Sequence, residues 1–184
     1  MTLGEGRRKV LMLIDEYSSG GAITEDKDIN LKMIDFFDQA QRHVAKYKKI
    51  VREYEVPLEA GVERYGMPED FGGLFRVWRD GRLTRKYAWR GKSVVIPEGD
   101  ARAVTVEYFA EPAAIPFDAK DDYVFEVDED AAACMPYFVA AQQLIVDLIL
   151  DPAPLLELYE RMLAALDTRR PEAGGGGVRQ ALYR

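Results

Sequence analysis

The sequence predicts an α+β fold: a bundle of about four helices with a small antiparallel β-sheet or barrel inserted between helices two and three. Three observations carry this. Apolar residues recur at helical spacing near the start and again near the end of the chain. Between them the period changes to two, in short runs broken by Gly and Pro turns. Each helix alone would leave an apolar stripe in water, and joining all four in one bundle is the simplest burial. The division is 1–48 and 129–170 for the bundle, 49–128 for the β insertion, and 171–184 for a flexible Gly-rich tail.

The elements follow in order. In "RRKVLMLIDEY", Val10, Leu13, Ile14 and Tyr17 make an amphipathic stripe that "SSGG" stops. A second helix runs through "ITEDKDINLKMIDFFDQAQRHVAKYKK", with Thr24 as cap and Glu25, Asp26 and Asp28 at the positive end of its dipole. Its buried face is Ile29, Met33, Phe36 or Phe37, Ala40, Val44 and Tyr47. "KIVREYEVPL" reads as a strand with Ile50, Tyr54 and Val56 on one side, and "YGMPEDFGG" as a loop. Consecutive strands then run to about Phe109, with turns at Asp80-Gly81, Arg90-Gly91 and Pro97–Asp100. Val104, Val106 and Tyr108 share a face, and "YVFEVD" is a further strand with Tyr123, Phe125 and Val127 on one side. "YFVAAQQLIVDLIL" is the third helix, with Pro136 near its start and a stripe of Phe138, Ala141, Leu144 or Ile145, Leu148 and Ile149. "DPAPLLELYERMLAALDTRR" is the fourth, capped by Asp151, with Leu155, Leu158 or Tyr159, Met162, Leu163 and Leu166 on its stripe.

Composition narrows the function. A chain of 184 residues buries enough surface to need no disulfide or metal staple, and it holds one cysteine, Cys134. No apolar run reaches the ~20 residues of a membrane helix. The run "VLMLI" is too short for a signal-peptide core, which points to folding in a cytoplasm. Net charge is −7. From Thr168 onward four arginines stand against one glutamate, +3, which leaves −10 on residues 1–167. An acidic body does not wrap nucleic acid by neutralising phosphates, and it would let DNA slide past without sticking.

Catalytic chemistry is not legible in the chain. His43, the single histidine, has no serine or cysteine nucleophile near it in sequence, and it reads as a surface or boundary residue. Cys134 reads as a small buried apolar residue. Asp118, Asp121, Asp122, Asp128, Glu129 and Asp130 are oxygen ligands by type, but the EF-hand spacing is absent and acids before a helix serve capping and solvation. The reading is therefore a protein that is not an enzyme, with no catalytic residue, cofactor or metal. A metal-dependent enzyme built on the acids is an alternative. Another is a DNA-binding regulator using the hairpin 76–90, where Arg76, Arg79, Arg82, Arg85, Lys86 and Arg90 interleave with Trp78, Tyr87 and Trp89.

Four pieces, taken in order, resemble a known family. They are the acid-capped helix "ITEDKDINLKMIDFFDQAQRHVA", the lead "MPEDFGGLFRV", the pair "SVVIPEGDARAVTVEYFAEPAAI", and "YVFEVDEDAAACMPYFVAAQQLI" followed by "YERMLAAL". Together, over about residues 23–166, they are similar to the head–tail connector proteins of tailed bacteriophages, also called neck adaptor or head-completion proteins. The resemblance implies a structural virion protein at the neck of a phage or phage-like particle such as a gene-transfer agent, assembled in the bacterial cytoplasm. It implies a homo-oligomeric ring, commonly dodecameric, between the portal and the tail or stopper proteins, with DNA passing through without specific binding. In that setting Gly174–Gly177 would give reach to the basic segment beyond it. Leu182 and Tyr183 would fill a pocket, and Arg179 and Arg184 would pair with acids on a neighbouring subunit or the portal.

Overall fold

The computed structural model describes residues 1–14, 27–97, 103–147 and 151–167. Among these residues four helices and seven strands follow one another as α1 (Leu3–Leu13), α2 (Lys27–Tyr47), β1 (Ile50–Glu55), β2 (Arg64–Gly66), β3 (Phe71–Arg79), β4 (Arg82–Thr84), β5 (Ala88–Arg90), β6 (Ser93–Val95), β7 (Val104–Ala110), α3 (Glu129–Asp147) and α4 (Ala153–Asp167). The described residues thus form a mixed α/β structure whose strands fall between α2 and α3. Thr24, Glu25 and Asp26 at the expected start of α2, Tyr17, the turn at 98–100, and Leu148 and Ile149 lie outside the described residues.

The expected single sheet or barrel is instead two antiparallel sheets, and no barrel closes among the described residues. One has the order β1-β7-β3-β4, the other β2-β6-β5. The break comes after β4. The next strand, β5, pairs with β6, and β6 pairs with β2, which was expected to be loop. Asp80-Gly81 forms the predicted two-residue turn, with Arg79 opposite Arg82. Both turn residues take positive φ, +48° and +73°, the conformation that favours Asp-Gly there. Tyr65 and Val94 of the small sheet share a core with Phe71, Val77, Val104, Val106 and Tyr108 of the large one. The other face of the large sheet carries Val51, Glu53, Phe109, Arg76 and Trp78, half-buried or exposed.

The helices build a second core. α3 lies at its centre, in contact with α1, α2 and α4. Met33, Phe37, Ala40 and Val44 of α2 are buried in it, as the stripe predicted, while Tyr47 is exposed. On α4, Tyr159, Leu163 and Leu166 are buried and Leu158 is exposed. Asp151 Oδ1 accepts from the Ala153 N–H at 3.0 Å, the expected cap.

Three expectations for this region are corrected. Helix α1 starts earlier than the stripe indicated. Thr2 and Glu5 form a reciprocal capping box, so Leu3, Gly6 and Arg7 join Val10 and Leu11 on the buried side. Helix α3 starts at Glu129, which puts Pro136 inside it rather than near its beginning. There the ring removes one N–H from the helix ladder, a loss tolerated within a packed bundle. Finally, "YVFEVD" is not a strand of either sheet. It is an extended segment touching α1 through one bridge, Thr2 to Val124, and a Leu3 N–H to Tyr123 carbonyl bond of 2.8 Å. The predicted alternation holds, but Phe125 and Val127 are buried in the helical core.

Gly6 sits where α1 presses on α2: a Cβ there would lie 2.8 Å from Phe37 Cζ. Phe37 is fully buried and has no room to retreat. An unobstructed helical Gly→Ala change stabilises by about 1 kcal/mol. Gly6→Ala should instead destabilise by about 1–3 kcal/mol through overpacking, read as a lower denaturation midpoint in urea.

Candidate interaction surfaces

Residues with chemical capacity fall in four places. The first joins the two halves of the structure. Gln41 of α2 is fully buried. Its Nε2 donates to the Ala113 carbonyl at 3.3 Å, and its Oε1 accepts from the Glu126 N–H at 2.9 Å. The Glu126 carboxylate accepts from the Ala113 N–H and pairs with Arg52 at 2.8 Å. Arg52 also pairs with Asp70 at 2.6 Å, and Asp70 accepts from the Tyr108 hydroxyl. Burial opposes the charge on Arg52, but Glu126 and Asp70 outweigh it and raise the guanidinium pKa. Burial, then the hydrogen bond to Asp70, raises the Tyr108 phenol. Every polar group here already has a protein partner, so the network positions the two halves rather than offering a reactive atom.

The second place is between α2 and α4. His43 Nδ1 lies 2.8 Å from the Tyr159 hydroxyl, with Tyr47 edge-on and Phe138 tilted against the imidazole. This is the boundary position expected of His43. Burial, aided by Lys46, lowers its pKa. Burial raises the Tyr159 phenol well above its ordinary range. Cys134 is buried, donates to the Asp130 carbonyl at 3.3 Å, and has a thiol pKa raised chiefly by that burial. A buried thiol held protonated is a poor nucleophile.

The third is a cleft of about 320 Å³ where the end of α2 meets the end of β7. Phe109, Ala110 and Pro112 give it an apolar floor, with Arg42, Lys46 and Lys49 on its rim and Glu111 beside them. Arg42 is engaged by Asp38 at 2.9 Å.

The fourth is the cation-rich segment, which the structure divides. Arg76 pairs with Glu107 at 3.6 Å and lies over the Phe75 ring. Trp78 Nε1 donates to the same Glu107 at 2.7 Å. Arg79 donates to the Pro97 carbonyl. These three belong to the fabric of the large sheet. Arg82, Arg85, Lys86 and Arg90 are exposed, as is Lys92, which sequence reasoning passed over. Trp89 is 48% exposed, its ring edge-on to Phe71.

Of the acids, Asp121 pairs with Arg7 at 2.7 Å and Asp128 with Lys48 at 2.8 Å, which gives both a structural role. Among the described residues no three His, Cys, Asp or Glu side chains are grouped to hold a metal ion, and no helix is long and apolar enough to cross a membrane. Arg179, Leu182, Tyr183 and Arg184 lie outside the described residues.

His43 supplies a pH test. Its folded pKa is below the ordinary value of 6.5, so the folded state binds fewer protons than the unfolded one. The stability from holding it neutral is complete above that ordinary value and is lost as pH falls from there through the lower folded value. The melting temperature of the wild-type chain should therefore drop more between about pH 8 and about pH 5 than that of His43→Gln, and the gap between the two should narrow in acid. Parallel thermal melts would check this.

No protein-family model matches the chain, and no curated protein matches it.

Proposed function

We propose that this chain is a structural subunit of a head–tail connector ring in a phage or phage-like particle, placed between the portal and the tail or stopper proteins. The observation that carries the reading is the distribution of uncovered apolar side chains on the helical half. Phe117 and Val124, on the segment that returns from β7 to α3, are 72% and 64% exposed. Ile145 and Val146 at the end of α3 and Leu158 on α4 are exposed as well. Subunits of a cyclic assembly meet head to tail, so each needs two different patches that complement one another. Apolar side chains this large, left bare on a single chain, are what a neighbouring copy would cover.

The order of elements agrees with the resemblance noted from the sequence: helices, strands between α2 and α3, then helices. The acidic balance of residues 1–167 suits a collar through which DNA moves without being held. On this reading the role is attachment, with no bond made or broken, and the site is the neck of the particle, assembled in the bacterial cytoplasm. Residues 171–184 add a basic, glycine-tethered segment for docking on a neighbour or the portal through Arg179, Leu182, Tyr183 and Arg184.

Light scattering and negative-stain images of the purified chain, alone and with a portal, test the proposal. The expected result is a closed ring under one of the two conditions. Phe117→Asp with Val124→Asp should weaken self-association at least tenfold while leaving the melting temperature nearly unchanged, since both side chains already face water. Deleting 174–184 should weaken association and leave the fold intact. A chain that stays monomeric at every concentration and with every portal tried would overturn the reading.

A further inference from the structure

The cations left free by the division of the Arg-rich segment carry a second inference. Between Arg82 and Lys92 the sequence is "RLTRKYAWRGK", five cations and no acid, in a chain of net charge −7. All five are exposed, and none forms an ion pair with a carboxylate among the described residues. Their path is laid out by the strands. Arg82 pairs with Arg79 at one end of β3, and Trp89 packs on Phe71 at the other. The segment therefore runs back along β3, whose nine residues span about 30 Å at ~3.3 Å each. Lys92 extends the line past Arg90, with its Nζ on the Glu69 carbonyl.

We infer that this stripe is a contact surface for the phosphate backbone of duplex DNA, without sequence preference. A length of about 30 Å is close to one turn of B-form DNA, whose axis carries one negative charge per ~1.7 Å. Arg82 on β4, Arg85 and Lys86 on the connection to β5, Arg90 on β5 and Lys92 in the turn after it can meet successive phosphates, and half-exposed Trp89 adds a flat apolar face beside them. Two carboxylates of the large sheet are already engaged: Glu107 holds Arg76 and Trp78, and Asp80, in the turn before Arg82, accepts from the Ala103 N–H. The rest of the chain is acidic, so the contact would be short-range and would release readily. The transit setting rests on the ring reading above, whereas the contact itself does not.

Anisotropy of a labelled 20-base-pair duplex, titrated with the full chain over a salt series, is the test. Five phosphate contacts predict a slope of log K against log salt of about −4.5, a loss of several hundredfold between 50 and 200 mM salt. The triple variant Arg85→Glu, Lys86→Glu, Arg90→Glu should abolish binding with unchanged circular dichroism and unchanged mass in light scattering. Lys46→Glu with Lys49→Glu, a control on the α2–β7 cleft, should keep the same slope. No binding by the wild type at 25 mM salt overturns the inference. So does binding that survives the triple variant or disappears in the cleft control. A triple variant that loses its assembled mass would reassign the stripe to an acidic face of a second subunit, and the inference would fall. DNA binding by a chain that never assembles would sink the ring and leave the stripe standing.

Discussion

The structure turns on one buried amide. Gln41 sits in α2 with no exposure, and both ends of its side chain are used by backbone groups of the segment that returns from the sheets to α3. Leaving either end unpaired in that setting would cost about 1–3 kcal/mol. The bond to the Glu126 N–H also fixes where the Glu126 carboxylate stands, and that carboxylate holds Arg52 on β1. Arg52 in turn reaches Asp70 before β3, and Asp70 holds Tyr108 on β7. Each ion pair alone contributes little, because the Arg52 side chain is 41% exposed. Their value is geometric. Strands inserted between two helices are tied to the bundle only where the chain crosses over, and this network locks both crossings to the same residue of α2.

That constraint explains which parts of the fold were readable. The stripes of α2 and α4 follow from helical period alone, because each packs one face on α3. The Asp80-Gly81 turn follows from backbone conformation, which is local. The alternation turns Phe125 inward, and the core it enters is the helical one rather than that of the sheets. Period two reports which side chains point together, and it is silent about what they point at. Pro136 was misplaced for a related reason. Proline inside a helix is disfavoured by local energetics, and only the packing of α3 against three other helices overrides it. Leu3 and Gly6 escaped notice because a helix with glycines at two of its first four positions looks poor by propensity. There the glycines are required by closeness, Gly4 against Asp121 and Gly6 against Phe37.

Among the candidate surfaces, the sequence pattern locates the cations and misses the boundary between them. Residues 76–90 read as one hairpin because arginines and aromatics alternate throughout. Whether a given arginine is free depends on the strand beside it, and β7 places Glu107 against Arg76 and Trp78. Strand pairing is a long-range fact, so a linear reading could not divide the engaged cations from the free ones. Lys92 stands exposed at the turn between β5 and β6, its ammonium donating to the Glu69 carbonyl rather than pairing with a carboxylate.

The acidic body and the cationic stripe are compatible because they act over different distances. At physiological salt the field of a surface charge decays over about 8 Å. A duplex held away from the stripe would meet the averaged negative field of the chain and be repelled. A duplex within that distance of Arg85, Lys86 and Arg90 would meet exposed cations in a run, 82–92, that contains no acid. Such a surface gives weak contact at short range and clearance elsewhere, the balance a moving polymer needs if it is to be guided without being arrested. On the proposed reading, converting the stripe to neutral residues would remove the guidance. Extending it across the outer face of the large sheet, where Glu53 and Glu55 stand exposed, would convert guidance into retention. On the proposed reading, the carboxylates of β1 matter as much as the arginines between β4 and β6.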